Sequence, residues 1–336
     1  MRSRGRGTAE GRRLAIGVLY ESDEWSDWKL ARELNQMLCE EPSRQSTDAA
    51  GSETDDRGVT AEATVQGTPC SPVLMINVEE EHCVEKALAC RMLVSRVFAS
   101  APFRGHLRAH EAMEDIIAAT ESAGIPLVNP PRAHRFEVDK RLAAETLREA
   151  GIAVPDIIAW GGPAALASTA NAWPYPCIVK PNCGGRTTHT AVLRSAADAE
   201  AFLAEAPDLI FIVEPFIEAA AGFLTRIEVV DGRIALVVKR SVADNGLSSY
   251  HEGSAYELYP DCPAAVTDAV LAAAKALDIQ FGSFDVIEAS EASFIIDANS
   301  VSNVSEDCTE LFDFDLMAAY ARVLAERYRT LQVSAR

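Results

Sequence analysis

The sequence predicts an α/β protein in two parts, with a parallel sheet first and antiparallel sheets after it. Strands and helices alternate along residues 14–131, which is typical of a parallel sheet covered by helices on both faces. From residue 207 onward apolar runs follow one another closely, and Asp231-Gly232 between two of them indicates a hairpin turn. The chain has 336 residues, of which 48% are hydrophobic, so it can bury a core in each part.

Each element of the first part has a local signal. Residues 1–13 are polar and basic, and we expect a flexible arm there. The apolar run 14–20 predicts a buried strand. Residues 41–69 are rich in Ser, Thr, Asp, Gly and Glu, which predicts a disordered insertion because such a segment buries too little apolar surface to offset its ordering entropy. The remaining elements are helices at 24–39, 80–90 and 110–123 and strands at 73–78, 91–98 and 126–129.

The second part begins near Arg135. A helix is predicted at 137–150, with Gly151 as its C-terminal cap. The apolar run 176–181 predicts a strand that leads into a glycine-bearing loop. The later elements are an extended segment at 153–160, helices at 195–206, 267–277 and 311–329, and strands at 209–217, 224–231, 233–240, 281–288 and 292–299. We therefore expect domains at 14–131, 132–212 and 213–330.

Composition and missing motifs exclude several functions. Lys plus Arg number 31 and Asp plus Glu 50, so the net charge is −19, which disfavours nucleic acid and anionic membranes as partners. No apolar run is long enough to span a membrane, and no secretory signal is recognisable. The eight cysteines form no CxxC pair, so we expect reduced thiols and a cytoplasmic protein. Walker, GxGxxG, HExxH and GxSxG motifs are absent from the sequence.

Two lysines are candidates for binding phosphate. Lys180 ends an apolar strand and precedes Pro181 and the loop NCGGRTTHT. A point charge beside the backbone N–H groups of Gly184-Gly185 suits a triphosphate. Lys140 lies at the start of a predicted helix. For both, a solvated surface lysine is the alternative interpretation.

Carboxylates on two neighbouring strands are candidates for binding a metal. Asp297 and Asn299 are two residues apart on a strand, so their side chains share a face. An antiparallel partner strand would add Asp285 to that face. Such hard oxygen ligands suit magnesium, whereas Asp-x-Asn-Ser also suits a turn at the strand end. Glu214-Pro215-Phe216-Ile217 ends another strand and is either a hinge between lobes or a plain strand end.

Taken in order, these parts resemble the ATP-grasp superfamily. The resemblance spans about residues 139–324, and its most specific motifs are PCIVKPNCGG and FIIDANSVSN. Within the superfamily the sequence is most similar to the branch of glutathione synthetase and the ribosomal-protein glutamate ligase. This resemblance implies a Rossmann-like parallel α/β domain at the N-terminus, followed by a two-lobed ATP-grasp fold with antiparallel sheets.

The resemblance also implies roles for particular residues. Arg240, and with it Arg226, would be the catalytic residues that face the γ-phosphate or an acyl phosphate. Two magnesium ions, replaceable by manganese, would lie on Asp285, Asp297 and Asn299. The residues implied to contact ATP are Lys140, Lys180, Gly184, Gly185, Glu214, Phe216 and Ile217.

The sequence departs from the superfamily's pattern at three places. Asp297-x-Asn299 stands where Glu-x-Asn is usual, so the acid is one methylene shorter. Val301-Ser302-Asn303 stands where Pro-Gly is usual, so the substrate side of the site is not standard. Arg186 and His189 occupy the phosphate loop, where small residues are more usual.

Substrate residues are predicted on two loops. Arg104 and His106 follow a strand of the parallel sheet, where open α/β sheets place ligands, and Arg104 would clamp a carboxylate. The alternative for Arg104 is a surface loop arginine. Ser302 and Asn303 follow the metal motif and would contact the acceptor. Residues 244–256 are predicted to form a lid or substrate loop, in which His251 is either a base or a solvated histidine.

These residues indicate an ATP-dependent carboxylate–amine ligase that forms an amide or peptide bond through an acyl phosphate and releases ADP and phosphate. We expect amino acid or peptide substrates. A non-catalytic nucleotide-binding ATP-grasp protein with a regulatory role is the alternative, and a phosphotransferase is a third. Retention of both lysines and all three metal candidates favours catalysis. The oligomeric state stays open, although homodimers are common in the superfamily.

Overall fold

The computed structural model describes residues 15–39, 72–243, 245–248 and 254–334. Within these ranges the chain forms a parallel sheet followed by two antiparallel sheets. The predicted arm at 1–13 and the predicted insertion at 41–69 lie outside the described residues, as do 244 and 249–253 of the predicted lid, His251 among them. None of the helices in the described ranges is both long enough and apolar enough to cross a bilayer.

The N-terminal part is a parallel sheet in the order β2-β1-β3-β4. Helices α1 and α10 cover one of its faces, and α2 and α3 cover the other. This layering confirms the prediction from the alternating pattern. Its elements are β1 (Ala15–Tyr20), α1 (Trp25–Cys39), β2 (Val73–Asn77), α2 (Cys83–Leu88), β3 (Cys90–Ser95), α3 (Ala109–Ser122) and β4 (Leu127–Val128).

The next part carries an antiparallel sheet in the order β5-β8-β6-β7. Helices α6 and α7 pack on it around Leu166, Trp173 and Leu203. Its elements are α4 (Pro131–Val138), α5 (Lys140–Glu149), β5 (Ala159–Gly161), α6 (Pro163–Ala167), β6 (Cys177–Pro181), β7 (Ala191–Leu193), α7 (Ala196–Glu205) and β8 (Phe211–Pro215).

The last part carries an antiparallel sheet in the order β11-β10-β9-β12-β13. One face packs on α4, α5 and α8 through an apolar core that includes Phe136, Leu147, Val270 and Phe284. The other face carries polar residues. The elements are β9 (Phe223–Val230), β10 (Arg233–Ser241), β11 (Tyr256–Leu258), α8 (Ala264–Ala276), β12 (Phe281–Glu288), β13 (Ser293–Asn299), α9 (Glu306–Phe312) and α10 (Leu316–Ser334).

The parallel sheet and the last sheet are joined by buried contacts. Helix α10 packs on α1 and on the strands of the parallel sheet, with Met317, Leu324 and Tyr328 in that core. The Nδ2 of Asn129, just after β4, donates to the carbonyls of Phe281 and Ser300, at 2.7 Å each. These contacts fix the N-terminal part against the sheet that bears the candidate metal residues.

Two predicted helices have other bounds. The helix expected at 137–150 begins at Lys140, because the Asp139 side chain accepts from the backbone N–H of Leu142 at 2.9 Å and caps it, and α4 precedes it as a separate helix. The helix expected at 311–329 is in fact α9 and α10, separated at Asp313, whose φ is +48°. The extended segment expected at 153–160 contributes to a strand only from residue 159.

Two predicted turns are confirmed. Gly151 follows α5 with a φ of +75°, which suits a C-terminal glycine cap. Asp231 and Gly232 join β9 to β10 with φ values of +54° and +69°, as a type I′ hairpin turn requires.

Candidate functional site

A cavity of about 500 Å³ lies between the four-stranded and the five-stranded antiparallel sheets. Its walls come from β6, β8, β10, β12 and β13, from the glycine loop after β6, and from the loop after β10. The cavity brings together residues that lie far apart in the sequence. Among the predicted site residues, its walls include Lys140, Lys180, Gly184, Gly185, Glu214, Phe216, Ile217, Arg240, Asp285 and Asp297.

Lys140 is placed by contacts between the start of α5 and the glycine loop. The backbone N–H of Lys140 donates to the carbonyl of Asn182 at 3.0 Å, and that of Arg141 donates to Oδ1 of Asn182 at 2.9 Å. The Lys140 ammonium forms an ion pair with Asp297. Burial opposes the charge of Lys140, but Asp297 outweighs burial and raises the pKa of the lysine.

Lys180 lines the same cavity. Its ammonium contacts Oε2 of Glu214 at 2.8 Å and donates to the carbonyl of Ile296 at 2.9 Å. The side chains of Lys180 and Glu214 are 14% and 5% exposed, so both face the cavity rather than bulk solvent. Lys180 is therefore not the solvated surface lysine of the alternative interpretation.

One end of the cavity is apolar. Ile178, Phe216, Leu224 and Ile287 line it, together with Glu214. The loop after β10 turns back over Phe216, and a side chain at Gly246 would lie 3.2 Å from the Phe216 ring. This apolar part of the cavity, here called the apolar slot, has the Glu214 carboxylate beside it and suits a planar heterocycle that carries an amino group.

At the other end of the cavity, a row of charged residues crosses the face of the five-stranded sheet that is turned toward the cavity. Asp297 of β13 lies opposite Asp285 of β12, which in turn lies opposite Arg226 of β9. On β10 the residue opposite Arg226 is Val238, and Arg240, two residues further along the same strand face, reaches Asp285 diagonally. The predicted antiparallel pairing of the two acidic strands is thus confirmed, and it is this pairing that brings Asp285 to Asp297.

The arginines in this row share the carboxylate of Asp285. Nη2 of Arg240 lies 2.9 Å from Oδ2 of Asp285, and Nη1 of Arg226 lies 3.4 Å from Oδ1. Arg226 also pairs with Glu228, with Nε and Oε1 2.8 Å apart. Burial opposes the charge of Arg226, but Glu228 and Asp285 outweigh it and raise the pKa of the guanidinium.

The donor set fits a hard divalent cation. Asp285 and Asp297 supply carboxylate oxygens on one face, and the Nδ2 of Asn299 lies 3.5 Å from Oδ2 of Asp297. Burial acts to raise the pKa of Asp297, but the charges of Lys140 and Lys180 outweigh burial and hold that pKa below its usual value. The Asp297 carboxylate is therefore ionised and able to bind a metal. Among the described residues, no three His, Cys, Asp or Glu side chains form a metal cluster by themselves, so a cation here would also depend on Asn299 and on phosphate oxygens.

The glycine loop lines this polar end, and its backbone conformation requires a glycine at position 184. Gly184 has a φ of +150°, and a Cβ there would overlap the Phe103 ring. Arg186 and His189, the two unusual residues of the loop, have φ values of +59° and +53°. The Arg186 guanidinium bonds to Glu24 of the N-terminal part and so ties the loop to that part.

A second cavity, of about 440 Å³, adjoins the first. The two cavities have common walls at the charged row and the glycine loop: Gly184, Gly185, Arg186, Thr187, Arg240, Ser248, Asp285 and Asp297 line both. The second cavity also contains Arg226, Glu228 and Asn299, together with residues of the N-terminal part and of α9.

The predicted substrate residues have different positions. Asn303 lines the second cavity, and its Nδ2 lies 3.3 Å from Oε2 of Glu24. Ser302 is buried, and its Oγ accepts from Arg226 at 3.2 Å. In the described ranges, Arg104 and His106 are not among the wall residues of either cavity. Arg104 pairs with Glu21 and, at 2.7 Å, with Glu24, and its guanidinium lies 5.3 Å from the centre of the Phe98 ring, so it contacts two wall residues of the second cavity without lining it.

Sequence reasoning missed three acidic residues of the site. Glu137 is buried and accepts from the backbone N–H of Ser300 at 2.5 Å, which holds the loop after β13. Glu24 and Glu228 line the second cavity. Glu228 could have been found, because it follows Arg226 by two residues on a strand and therefore shares its face. Glu137 and Glu24 carry no comparable signal.

Comparisons with known proteins agree with this architecture. No protein-family model matches the sequence, and no curated protein matches it. Solved structures do match. A RimK-domain ATP-grasp protein of Sphaerobacter thermophilus aligns with a TM-score of 0.61 at 17% identity, over 92% of this chain and 98% of that one. D-cycloserine synthetase DcsG aligns with a TM-score of 0.62 at 14% identity, over 94% and 99% of the two chains.

A third similar structure is the D-alanine–D-alanine ligase of Bacillus anthracis, with a TM-score of 0.56 at 16% identity over 94% of this chain and 99% of that one. The three are described as an ATP-grasp protein, a synthetase and a ligase, and each is matched over nearly its whole length. The chain therefore has the ATP-grasp fold.

Proposed function

We propose that this protein is an ATP-dependent carboxylate–amine ligase that forms an amide or peptide bond on an amino acid or peptide. The supporting observation is the common wall of the two cavities. The first cavity has an apolar slot at one end and Lys140 and Lys180 beside it, and the second opens from its polar end, at Asp285, Asp297 and Arg240. A nucleotide with its base in the slot would present its γ-phosphate at the entrance to the second cavity.

Such an arrangement suits the transfer of a phosphoryl group to a carboxylate. A carboxylate oxygen in the second cavity would attack the γ-phosphorus, the bond to the β–γ bridging oxygen would break, and ADP would leave. An amine nitrogen would then attack the acyl carbon, the carbon–oxygen bond to phosphate would break, and the nitrogen would lose a proton. The protein supplies alignment and charge rather than a nucleophile.

Particular residues fit parts of this chemistry. Lys140, Lys180 and Arg240 all line the first cavity. The two lysines would contact phosphate oxygens, and Arg240 would neutralise charge on the transferred group. Arg226 would orient the acyl group from the second cavity. Glu214 would accept from the adenine amino group, with Phe216 and Ile217 beside the base. The loop at Gly184 and Gly185 would exclude water from the acyl phosphate.

Metal ions belong to the same proposal. Asp285, Asp297 and Asn299 would hold up to two magnesium ions, with manganese as a substitute. When bound, such ions neutralise the phosphate oxygens. The roles of Arg104 and His106 stay predictions, and Arg104 would act indirectly through Glu24.

The experiment is a turnover assay with MgATP and pools of amino acids and short peptides, reading both ADP and phosphate. We expect equal amounts of ADP and phosphate only when a particular acid and amine are both present. Phosphate that does not depend on an amine would favour a phosphotransferase or a hydrolase. Binding of nucleotide without turnover in every pool would favour the regulatory alternative.

Matched variants link the activity to the site. Asp297→Asn should abolish turnover. Asp278→Asn is the control, because Asp278 is also paired with a basic residue, Arg132 at 3.2 Å, but lies at the surface outside both cavities. Equal loss in both variants would contradict the assignment of Asp297.

A further inference from the structure

The glycine loop, residues 182–190, contacts the N-terminal part through the two residues that are unusual in its sequence. The Arg186 guanidinium pairs with the carboxylate of Glu24, the residue before α1. The ring of His189 packs edge-on against Phe103, with the ring centroids 5.8 Å apart. Arg186 and His189 stand where the superfamily usually has small residues, so the departure in the sequence coincides with contacts to the N-terminal part.

The backbone of the loop depends on its contacts. Arg186, Thr187 and His189 have φ values of +59°, +56° and +53°, a region that residues with a side chain rarely occupy. Such a conformation persists only where the surrounding structure holds it, and it is common at ligand clamps. The loop is therefore held in place from outside, and Glu24 and Phe103 are among the groups that hold it.

Glu24 joins three loops at the wall of the second cavity. Its Oε1 is bonded to Arg186 and, at 2.7 Å, to Nη1 of Arg104, and its Oε2 accepts from Nδ2 of Asn303 at 3.3 Å. Burial acts to raise the pKa of Glu24, but the charges of Arg186 and Arg104 outweigh burial and hold that pKa below its usual value. The carboxylate is therefore ionised and attracts both guanidiniums.

The loop lies where the two cavities meet, and residues 184–187 line both of them. In the proposed reaction the phosphoryl group is transferred at this common wall. The acyl phosphate formed there survives only if water is kept from it until the amine attacks. The position of the loop therefore bears directly on the outcome of the reaction.

We propose that Glu24 is a positioning residue that, through Arg186, holds the glycine loop against the N-terminal part at the common wall of the two cavities, with His189 on Phe103 as a second attachment. The inference rests on the proposed ligase function for its consequence. When the loop is released, a water oxygen attacks the acyl carbon, the carbon–oxygen bond to phosphate breaks, and the acid and phosphate leave with release of a proton.

Trypsin tests the attachment without turnover, because it cleaves after an arginine only when that side chain enters its specificity pocket. The full chain is digested briefly, and mass spectrometry follows cleavage after Arg186 and after Arg233, which is exposed at the start of β10. Glu24→Gln should speed cleavage after Arg186 at least about fivefold and leave cleavage after Arg233 unchanged. Unchanged cleavage after Arg186, or equal acceleration at both sites, would overturn the proposal.

Matched variants locate the effect. Glu33→Gln is the control, because Glu33 also lies in α1 and pairs with a basic residue, Lys29 at 2.7 Å, but is outside both cavities. It should change cleavage at neither site. His189→Asn removes the ring but keeps a residue that accepts a positive φ, and it should also speed cleavage after Arg186. No acceleration in His189→Asn would overturn the second attachment.

Product ratios test the consequence for the reaction. With an acid and an amine that give turnover, the wild type should release equal amounts of phosphate and amide, whereas Glu24→Gln should release phosphate in excess. Equal amounts in Glu24→Gln would overturn the role of the loop in excluding water. A chain in which Glu24→Gln exposes Arg186 to trypsin but which forms no ADP in any pool would refute the ligase and not the attachment of the loop.

Discussion

Asp297→Asn should change nucleotide affinity in opposite directions with and without magnesium. Without the metal, the Asp297 carboxylate holds the Lys140 ammonium and repels phosphate. With the metal, the same carboxylate would be a ligand. One substitution therefore removes an unfavourable charge in the first condition and a favourable one in the second.

The expected change in metal-free ADP affinity can be estimated from the solvent exposure of the Asp297 side chain. Two unit charges 4 Å apart interact by about 1 kcal/mol in water and by about 4 kcal/mol at the effective dielectric near a protein surface. The Asp297 side chain is 27% exposed, so solvent screens it and the lower value applies. We expect metal-free ADP to bind about fivefold more tightly to the variant.

The magnesium condition gives the opposite sign. Loss of a residue that only supports a metal ligand costs about tenfold or more in affinity or activity, and Asp297 would itself be a ligand. We expect MgADP to bind at least about tenfold more weakly to Asp297→Asn.

The assay is calorimetric titration of ADP in EDTA and in magnesium, with Asp278→Asn as the control that changes neither value. A shift in the same direction in both conditions would refute the placement of Asp297 beside both the phosphates and the metal.

Three further substitutions test the scaffold and the loop. Arg96→Met should cost about 3–5 kcal/mol in urea unfolding, because it leaves the buried Asp27 carboxylate without its guanidinium at 2.7 Å; a loss under 1 kcal/mol would contradict this. Gly184→Ala should weaken nucleotide binding, because the new Cβ overlaps the Phe103 ring and a side chain is strained at a φ of +150°, so the loop must move; unchanged ADP affinity would count against it. Burial lowers the pKa of His134 to about 4, so the folded state resists its protonation and stability falls with decreasing pH. Between pH 7 and 5 the wild type should lose about 2 kcal/mol more than His134→Gln; parallel pH profiles would show that His134 does not contribute.

The sequence predicted the structural features that depend on residues close together in the chain. Alternating strands and helices predicted the parallel sheet, and the two-residue spacing of Asp297 and Asn299 predicted their common face. Gly151 and Asp231-Gly232 predicted turns, because few residues other than glycine, asparagine and aspartate accept a positive φ. These predictions depend on steric and hydrophobic preferences within a few residues.

Tertiary contacts were harder to predict. The helix boundary at Lys140 depends on the Asp139 cap and on Asn182, more than forty positions away. The sequence predicts a substrate role for Arg104, but it does not predict that the Arg104 guanidinium pairs with Glu21 and Glu24 of another loop. Those partners can be recognised only once the loops have been brought together, because nothing in the local sequence specifies them.

The measurement that tests the central claim most directly follows oxygen from the acid into phosphate. Amino acid pools labelled with ¹⁸O in the carboxylate are incubated with MgATP and amine, and the phosphate released is analysed by mass spectrometry. A ligase that forms an acyl phosphate transfers one labelled oxygen to each phosphate, in step with ADP and amide. Phosphate without the label, released alongside ADP, would mean that water attacks the γ-phosphate, and the proposed ligase mechanism would be wrong.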